Sequence, residues 1–462
     1  MSAGAPGAAR DHRRGPPERP GNPALHPARL ALGAFALVIA ATTFLLHLPV
    51  SRADGHRASL VDSLFTATSA VCVTGLTTVD TATYWTTFGH VVIAVAIKLG
   101  GLGTLTLAAI LVRTVSRRLG LQQRLIVAQE TKAQHLGEVG SLLSVILLVS
   151  TSLELVIAAV LFPRFLQMHE SLSTAAGHSA FYAVSAFNNA GFVIHPGGLP
   201  AGSESDWFLT LPIAVAVLVG SVGFPVQLEV LRRFRRPAPW SMHTQLTVWT
   251  TLALLAVSTV VIGALEWTRR DTLGGFALVD RPVAAFFTAV MPRSGGFSLV
   301  DPGHMQDPTR FFIDGMMFIG GGSSSTAGGI RVTTFAVIVA AAWAEGRGLQ
   351  DVNIGRRRLS IGVVRLAVSV VLLAAVAVWA GTTTLLLLTD FRLDAVLFET
   401  ISAFATCGLS TGITPDLPAA GKVVLCALML FGRAGMLTLV AAIAVRERRR
   451  LYRYPEERPI VG

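Results

Sequence analysis

The sequence predicts an all-α membrane protein of eight spans, arranged as four repeats of outer helix, re-entrant pore half-helix and inner helix around a central pore. Asp, Glu, Lys and Arg make up only 14% of the 462 residues, against about 25% in soluble globular proteins, while hydrophobic residues make up 52%. The apolar residues cluster in runs near the ~20 residues that a helix needs to cross the hydrocarbon core. Four shorter, half-apolar stretches fall between those runs, and each carries a phenylalanine ten positions ahead of a glycine.

The spans are 30–49, 88–112, 139–163, 208–231, 245–267, 311–344, 361–388 and 422–445. The stretches at 60–75, 177–191, 282–296 and 394–408 are too short to cross and read as re-entrant. The chain then divides into a disordered cytoplasmic tail (1–29), pore repeats over 30–114, 138–233, 243–347 and 361–446, and a cytoplasmic C-terminal tail (447–462). The N-terminal tail is rich in Pro, Gly, Ala and Arg, and no small-residue cleavage site follows the long apolar run from Leu30, so no signal peptide is expected.

Lys and Arg are distributed unevenly between alternate loops. One side carries Arg10, Arg13, Arg14, Arg19 and Arg29, then Arg113, Arg117, Arg118, Arg124 and Lys132. It continues with the Arg232-Arg233-Phe234-Arg235-Arg236 cluster, Arg356 to Arg358, and Arg446 with Arg448 to Arg450. The other side is poorer. The richer side is cytoplasmic by the positive-inside rule, which puts both termini inside and all four re-entrant stretches on the outer face. The net charge of +11 resides in these short loops, without a basic domain interleaved with aromatics, so nucleic acid is not an expected partner. Cys72, Cys407 and Cys426 form no CxxC pair, which argues against a disulfide framework or structural zinc.

The repeat has a definite register. Phe65 precedes Gly75, Phe181 precedes Gly191, Phe286 precedes Gly296 and Phe398 precedes Gly408, each by ten positions. Ser69, Ser185 and Ser402 share the fourth position after the Phe, where the third copy has Val290. A half-helix entering from outside points its carbonyl end, with partial negative charge, toward the bilayer centre. Asp62 and Asp394 are placed to cap two of these half-helices. Glycine reaches at little cost the backbone angles of a turn that aims carbonyl oxygens at a dehydrated cation. Four such turns around one axis replace the hydration shell of a monovalent cation. Glycines that only let helices pack closely are the competing explanation. The common register of all four favours the ring.

The motifs that carry this pattern are Val73-Thr74-Gly75-Leu76, Asn188-Asn189-Ala190-Gly191-Phe192, Arg293-Ser294-Gly295-Gly296-Phe297 and Thr406-Cys407-Gly408-Leu409-Ser410-Thr411-Gly412. The inner helices add Gly100-Gly101-Leu102-Gly103 and Gly220-Ser221-Val222-Gly223-Phe224-Pro225. In these motifs the chain, from about residue 30 to 446, resembles the TrkH/KtrB/HKT superfamily of potassium transporters, most of all its KtrB branch. The resemblance implies K⁺ as the transported ion, with no bound organic cofactor. It implies a selectivity filter made by Val73, Thr74, Gly75, Asn189, Ala190, Gly191, Ser294, Gly295, Gly296, Thr406, Cys407 and Gly408. In that superfamily a serine at the first filter glycine goes with Na⁺ permeation, so Gly75 favours K⁺. The resemblance also implies a homodimer seated on a cytosolic KtrA/TrkA-like ring of nucleotide-binding regulatory subunits.

A Gly- and Ser-rich run, Gly320-Gly321-Gly322-Ser323-Ser324-Ser325-Thr326-Ala327-Gly328-Gly329, interrupts the third inner span. Such a run does not continue a stable helix. It lacks the Gly-Lys-Ser/Thr ending of a phosphate-binding loop. It is similar to the family's intramembrane gating loop, with Arg331 where a lysine is usual. Arg433, inside the last inner helix, matches the arginine that faces this loop, where a guanidinium donates to carbonyls and repels a cation; snorkelling is the alternative. Lys98, mid-span in the first inner helix, has three open readings: snorkelling, lining a cytoplasmic vestibule, or pairing with an acid such as Glu154. Glu399 and Asp314 lie near the pathway. Glu399 reads as a carboxylate bonded behind the filter before it reads as an ion ligand. Cys72 and Cys407 read as small buried thiols. His56, His178, His195 and His304 lack a nucleophile or metal spacing, and no catalytic constellation is present. A coupled carrier would show two inverted halves instead of four parallel units. A non-transporting scaffold would tolerate replacement of the filter glycines.

Overall fold

The computed structural model describes residues 27–118, 139–168, 171–235, 239–349, 351–354 and 357–434. Most of the expected N-terminal tail, the C-terminal tail, the last part of the 422–445 span and many of the loop arginines lie outside them.

The described chain is predominantly helical. First come α1 (Pro27–His47), the half-helix α2 (Leu60–Cys72), one turn of α3 (Thr81–Tyr84) and the long α4 (Thr87–Arg118). A second set follows, α5 (Val139–Gln167), half-helix α6 (Leu172–Phe187), α7 (Trp207–Val222) and α8 (Phe224–Arg235). Then come α9 (Met242–Glu266), half-helix α10 (Arg281–Val290), α11 (Asp307–Phe318) and α12 (Val332–Gly346). The last set is α13 (Ile361–Leu388), half-helix α14 (Leu393–Phe404) and α15 (Ala419–Ala434). A two-residue antiparallel pair, Asn353–Ile354 with Arg357–Arg358, precedes α13.

Helix starts follow ordinary capping chemistry. Ser171 and Ser241 each accept a bond from the backbone N–H three residues on, and Asp206 does the same for Leu209. Asp62 and Asp394 do not cap, contrary to expectation. They sit inside the first turns of α2 and α14, whose N-caps are Ser59 and Arg392. Their carboxylates point sideways to the start of a neighbouring unit's inner helix. Asp62 meets Lys422 of α15 at 3.3 Å, and Asp394 meets Arg310 of α11 at 2.9 Å. Asp280, the N-cap residue of α10, accepts from the Trp207 indole of α7 at 2.9 Å. Three of the four short helices are thus tied near their N-termini, α2 to α15, α14 to α11 and α10 to α7.

By length and composition, α9, α13 and residues Val145–Gln167 of α5 can each cross a bilayer. Two expected spans are not continuous. The 208–231 stretch bends by 103° at Gly223, and 311–344 is cut into α11 and α12 by an irregular segment over 319–331. Both breaks occur at glycine-rich sequence, where helix propensity is lowest. The outer helices expose large apolar side chains, among them Leu387 at 83% and Trp379 at 70%. Soluble monomers do not tolerate broad faces of this kind. The half-helices are the buried elements instead, with Phe65 and Phe398 fully enclosed.

The inner helices admit the half-helix ends through glycine. A β-carbon at Gly100 would lie 1.9 Å from the Val71 carbonyl oxygen, one at Gly220 would lie 2.0 Å from that of Phe187, and one at Gly432 would lie 1.7 Å from that of Phe404. Those carbonyls share one place in the repeat, the sixth residue after Phe65, Phe181 and Phe398. The third unit departs from this register. Phe286 is only half-buried while Phe287 is fully buried, and the half-helix ends at Val290.

Candidate functional site: a ring of four turns above a Gly/Ser-rich loop

The four half-helices end in turns with one backbone signature. Val73, Asn189, Ser294 and Thr406, each two residues before a repeat glycine, have left-handed φ of 57°, 61°, 69° and 47°. Gly75, Gly191, Gly296 and Gly408 follow with φ of 92°, 67°, 71° and 94°, and the residue between is not left-handed. Non-glycine residues rarely adopt this conformation. Among the described residues the only other one is Ser324, in the segment beneath. Alternation of hand turns successive carbonyls to the same side, which is what a cation-facing turn requires.

The turns close on each other in chain order. A β-carbon on Gly75 would lie 2.3 Å from the Ala190 carbonyl oxygen, and one on Gly191 would lie 2.6 Å from the Gly296 α-carbon. One on Gly296 would lie 2.7 Å from the Cys407 carbonyl oxygen, and one on Gly408 would lie 2.2 Å from that of Thr74. Each glycine therefore faces the next unit's turn, and the fourth returns to the first. A side chain at any of these positions would push the adjacent turn away.

Serine holds three of the turns. The Ser69 hydroxyl accepts from the Gly75 N–H (3.0 Å), the Ser402 hydroxyl accepts from the Gly408 N–H (3.1 Å), and the Ser185 hydroxyl donates to the Phe192 carbonyl (2.9 Å). In the same loops the Thr74, Ala190 and Cys407 N–H groups donate to the carbonyls of Ser69, Ser185 and Ser402. The third turn has Val290 in place of serine. There the Gly295 N–H donates one residue later, to Met291. Its support comes from neighbours: the Ser294 hydroxyl donates to the Thr406 carbonyl, and the Asn189 side-chain amide donates to the Arg293 carbonyl (3.2 Å).

Residues 319–331 lie directly beneath the ring. The Gly322 N–H donates to the Ser221 carbonyl (2.7 Å) and the Phe224 N–H donates to that of Ser324 (3.2 Å), which joins the segment to the break at Gly223. Three guanidinium groups donate to its carbonyls. Arg293 reaches Ile319 (3.1 Å), Arg331 reaches Ala327, and Arg433 reaches Thr326. Arg433 also donates to Gly100 of α4 at 2.8 Å, and it is buried, so the snorkelling alternative falls. Arg293 is the residue that sequence reasoning missed. It was quoted only as part of a motif, although a charge inside a re-entrant stretch is the same signal that picked out Arg433. Three buried or half-buried guanidinium groups thus surround one segment.

Lys98 pairs with Glu154 at 2.7 Å and donates to the Ser150 hydroxyl at 3.0 Å. Glu154 also accepts from the Asn188 amide at 2.8 Å, so α4, α5 and the end of α6 are joined. Of the three open readings for Lys98, pairing is the one found. Glu399 is fully buried and accepts from the Ser410 hydroxyl (2.6 Å), the Thr411 N–H (2.8 Å) and the Thr414 hydroxyl (2.7 Å). It holds the chain behind the fourth turn. Asp314 is buried on α11, and Cys72 and Cys407 are buried thiols. His195 meets the Tyr182 hydroxyl at 2.8 Å and stands 4.8 Å, ring to ring, from His178.

The sequence profile of the TrkH family, described as cation transport protein, matches residues 34–452. The chain is 37% identical over 436 residues to Ktr system potassium uptake protein B of Bacillus subtilis, covering 94% of this chain and 96% of that protein. It is 30% identical over 448 residues to potassium/sodium uptake protein NtpJ of Enterococcus hirae, covering 95% and 98%. Among solved structures, the potassium transporter TrkH from Vibrio parahaemolyticus superposes with a TM-score of 0.73 at 16% identity, over 92% of this chain and 86% of that one, a likeness of fold. A match across nearly the whole chain, with the ring of glycine turns and the segment beneath it, means that this protein belongs to the TrkH family of cation transport proteins.

Proposed function

We propose that the chain is the ion-translocating pore subunit of a Ktr/Trk-type potassium uptake system in the cell membrane, moving K⁺ down its electrochemical gradient. As a member of an ion transport family it is a transporter and not an enzyme. The observation that carries the reading is the closed ring of four turns, each left-handed at equivalent positions and each glycine facing the next unit. In this reading residues 73–75, 189–191, 294–296 and 406–408 form the selectivity filter. The same packing supports four units of outer helix, half-helix and inner helix, with the boundaries given above. The eight spans then correspond to α1, α4, α5, the bent α7 and α8, α9, the interrupted α11 and α12, α13, and the 422–445 stretch, of which α15 covers the described part. Both termini face the cytoplasm.

Residues 320–329 form the gate, held under the filter by Arg433. Curated relatives are named as potassium uptake proteins, one of them as a potassium/sodium uptake protein, and Gly75 favours K⁺ here. The name Ktr system describes an assembly of components. A homodimer on a cytosolic nucleotide-binding ring is the corresponding proposal for this chain, supported by the resemblance. Expression in a bacterium lacking its own K⁺ uptake should restore growth at low K⁺ and K⁺ uptake; Na⁺ uptake exceeding K⁺ uptake would overturn the selectivity.

A further inference from the structure

We infer that the Gly/Ser-rich loop does more than obstruct the pathway: through Thr326 and the Gly328 amide it completes the filter, so those residues help to determine ion preference. The inference rests on the filter and gate reading above.

The starting point is the left-handed position of each turn. In the second, third and fourth turns it carries a polar side chain, and all three side chains meet the loop. The Thr326 hydroxyl lies 3.0 Å from the Asn189 side-chain oxygen and 3.1 Å from the Gly220 carbonyl. The Gly328 N–H donates to the Ser294 hydroxyl at 3.3 Å. A β-carbon on Gly328 would lie 2.2 Å from the Thr406 hydroxyl, so glycine is needed for the loop to seat there. The first turn carries Val73, which is apolar and fully buried.

These bonds reach the filter backbone. Asn189 spends its two amide protons on the carbonyls of Val217 and Arg293, both at 3.2 Å. Its oxygen faces Thr326, so the side chain that links the second and third turns is oriented by a loop residue. The Ser294 hydroxyl accepts from the Gly328 N–H and donates to the Thr406 carbonyl. The chain Gly328 N–H to Ser294 O–H to Thr406 C=O is polarised in one direction, and each bond strengthens the next. A carbonyl that accepts such a bond presents a weaker field to an ion, and selectivity follows carbonyl number and field strength. With the loop seated, the Thr406 carbonyl is engaged. With the loop withdrawn, Ser294 loses its donor and Asn189 loses its orienting hydroxyl. Ion preference therefore depends on the loop's hydrogen bonds and not on the turns alone.

The test compares the full-length wild type with Thr326→Val and Thr326→Ser in liposomes, measuring ⁸⁶Rb⁺ and ²²Na⁺ flux. Valine keeps the shape and removes the hydroxyl; serine keeps the hydroxyl. Thr326→Val should raise ⁸⁶Rb⁺ flux and lower the ⁸⁶Rb⁺/²²Na⁺ ratio by roughly fivefold, the change one neutral hydrogen bond carries. Thr326→Ser should restore the wild-type ratio, and Ser294→Ala should lower it by a similar factor. A valine variant with raised flux and an unchanged ratio would make the loop a plug independent of the filter, and so would overturn the inference. So would unchanged flux with an unchanged ratio. Absence of ⁸⁶Rb⁺ flux in the wild type would instead count against the potassium-pore reading itself.

Discussion

Arg433 donates to the Thr326 carbonyl with one guanidinium nitrogen and to the Gly100 carbonyl with the other. One side chain of the fourth unit thereby fastens the loop of the third unit to the inner helix of the first. A planar fork is suited to bridging two carbonyls, and an ammonium is not. A hydrogen bond to a charged group contributes about 1.5–3 kcal/mol, roughly a tenfold to hundredfold shift in the loop's equilibrium. Arg433→Ala should raise K⁺ flux by up to that range, and Arg433→Lys should fall between. Deleting residues 320–329 should raise flux as well. Unchanged flux in both Arg433→Ala and the deletion would exclude the loop as a gate.

Gly75→Ser should relax selectivity without abolishing flux. The added β-carbon would meet the Ala190 carbonyl oxygen, an atom of the adjacent turn. The two turns must separate, which widens the ring and favours neither ion by fit. Competitive uptake should show a lower K⁺/Na⁺ ratio in the variant. Gly432→Ala acts elsewhere. It drives a methyl into the Phe404 carbonyl, against backbone with no room to yield, and should lower the thermal midpoint of the purified protein and its yield in the membrane.

The Lys98–Glu154 pair is a second place where single and double substitutions separate the possibilities. Glu154 is largely buried and Lys98 partly so, with side-chain exposures of 7% and 20%. Breaking a buried pair from one side costs about 3–5 kcal/mol because it strands a charge. Lys98→Met should therefore destabilise strongly, and Lys98→Met with Glu154→Leu should recover most of the loss in a detergent melting curve. A double variant no better than the single one would show that Glu154 matters mainly through Asn188.

Much of this site was legible in the sequence, for a physical reason. Turns that need left-handed backbone need glycine at fixed intervals, so Gly75, Gly191, Gly296 and Gly408 announce themselves by spacing. The neighbours of those turns were harder to see. The third half-helix keeps its glycine but buries Phe287 in place of Phe286, and Val290 lacks the hydroxyl that fixes the other turns. Lys98 finds Glu154 across 56 positions of chain, a pairing the sequence offered as one of three readings but could not select. The 208–231 stretch read as one span because apolar composition says nothing of direction, and the bend at Gly223 is flanked by bonds from Phe224 to Ser324 and from Gly322 to Ser221 that sequence does not display. Asp62 and Asp394 were read as caps since an acid near a helix start suits the dipole wherever its side chain points.

Those two acids yield the last prediction. Asp62 with Lys422, and Asp394 with Arg310, join the outer end of one half-helix to the first turn of the preceding unit's inner helix. Repetition of the arrangement around the axis suggests that it sets the spacing between units at the outer mouth. Side-chain exposures of 14% and 18% for the first pair leave it only partly screened by solvent. Its coupling energy should be about 1 kcal/mol, the upper part of the range for accessible pairs. A double-mutant cycle of Asp62→Asn and Lys422→Met, read by thermal unfolding, should return that coupling at low salt and less at high salt. Coupling near zero at both salt concentrations would leave the glycine contacts at Gly100, Gly220 and Gly432 as the agents that hold the half-helices in place.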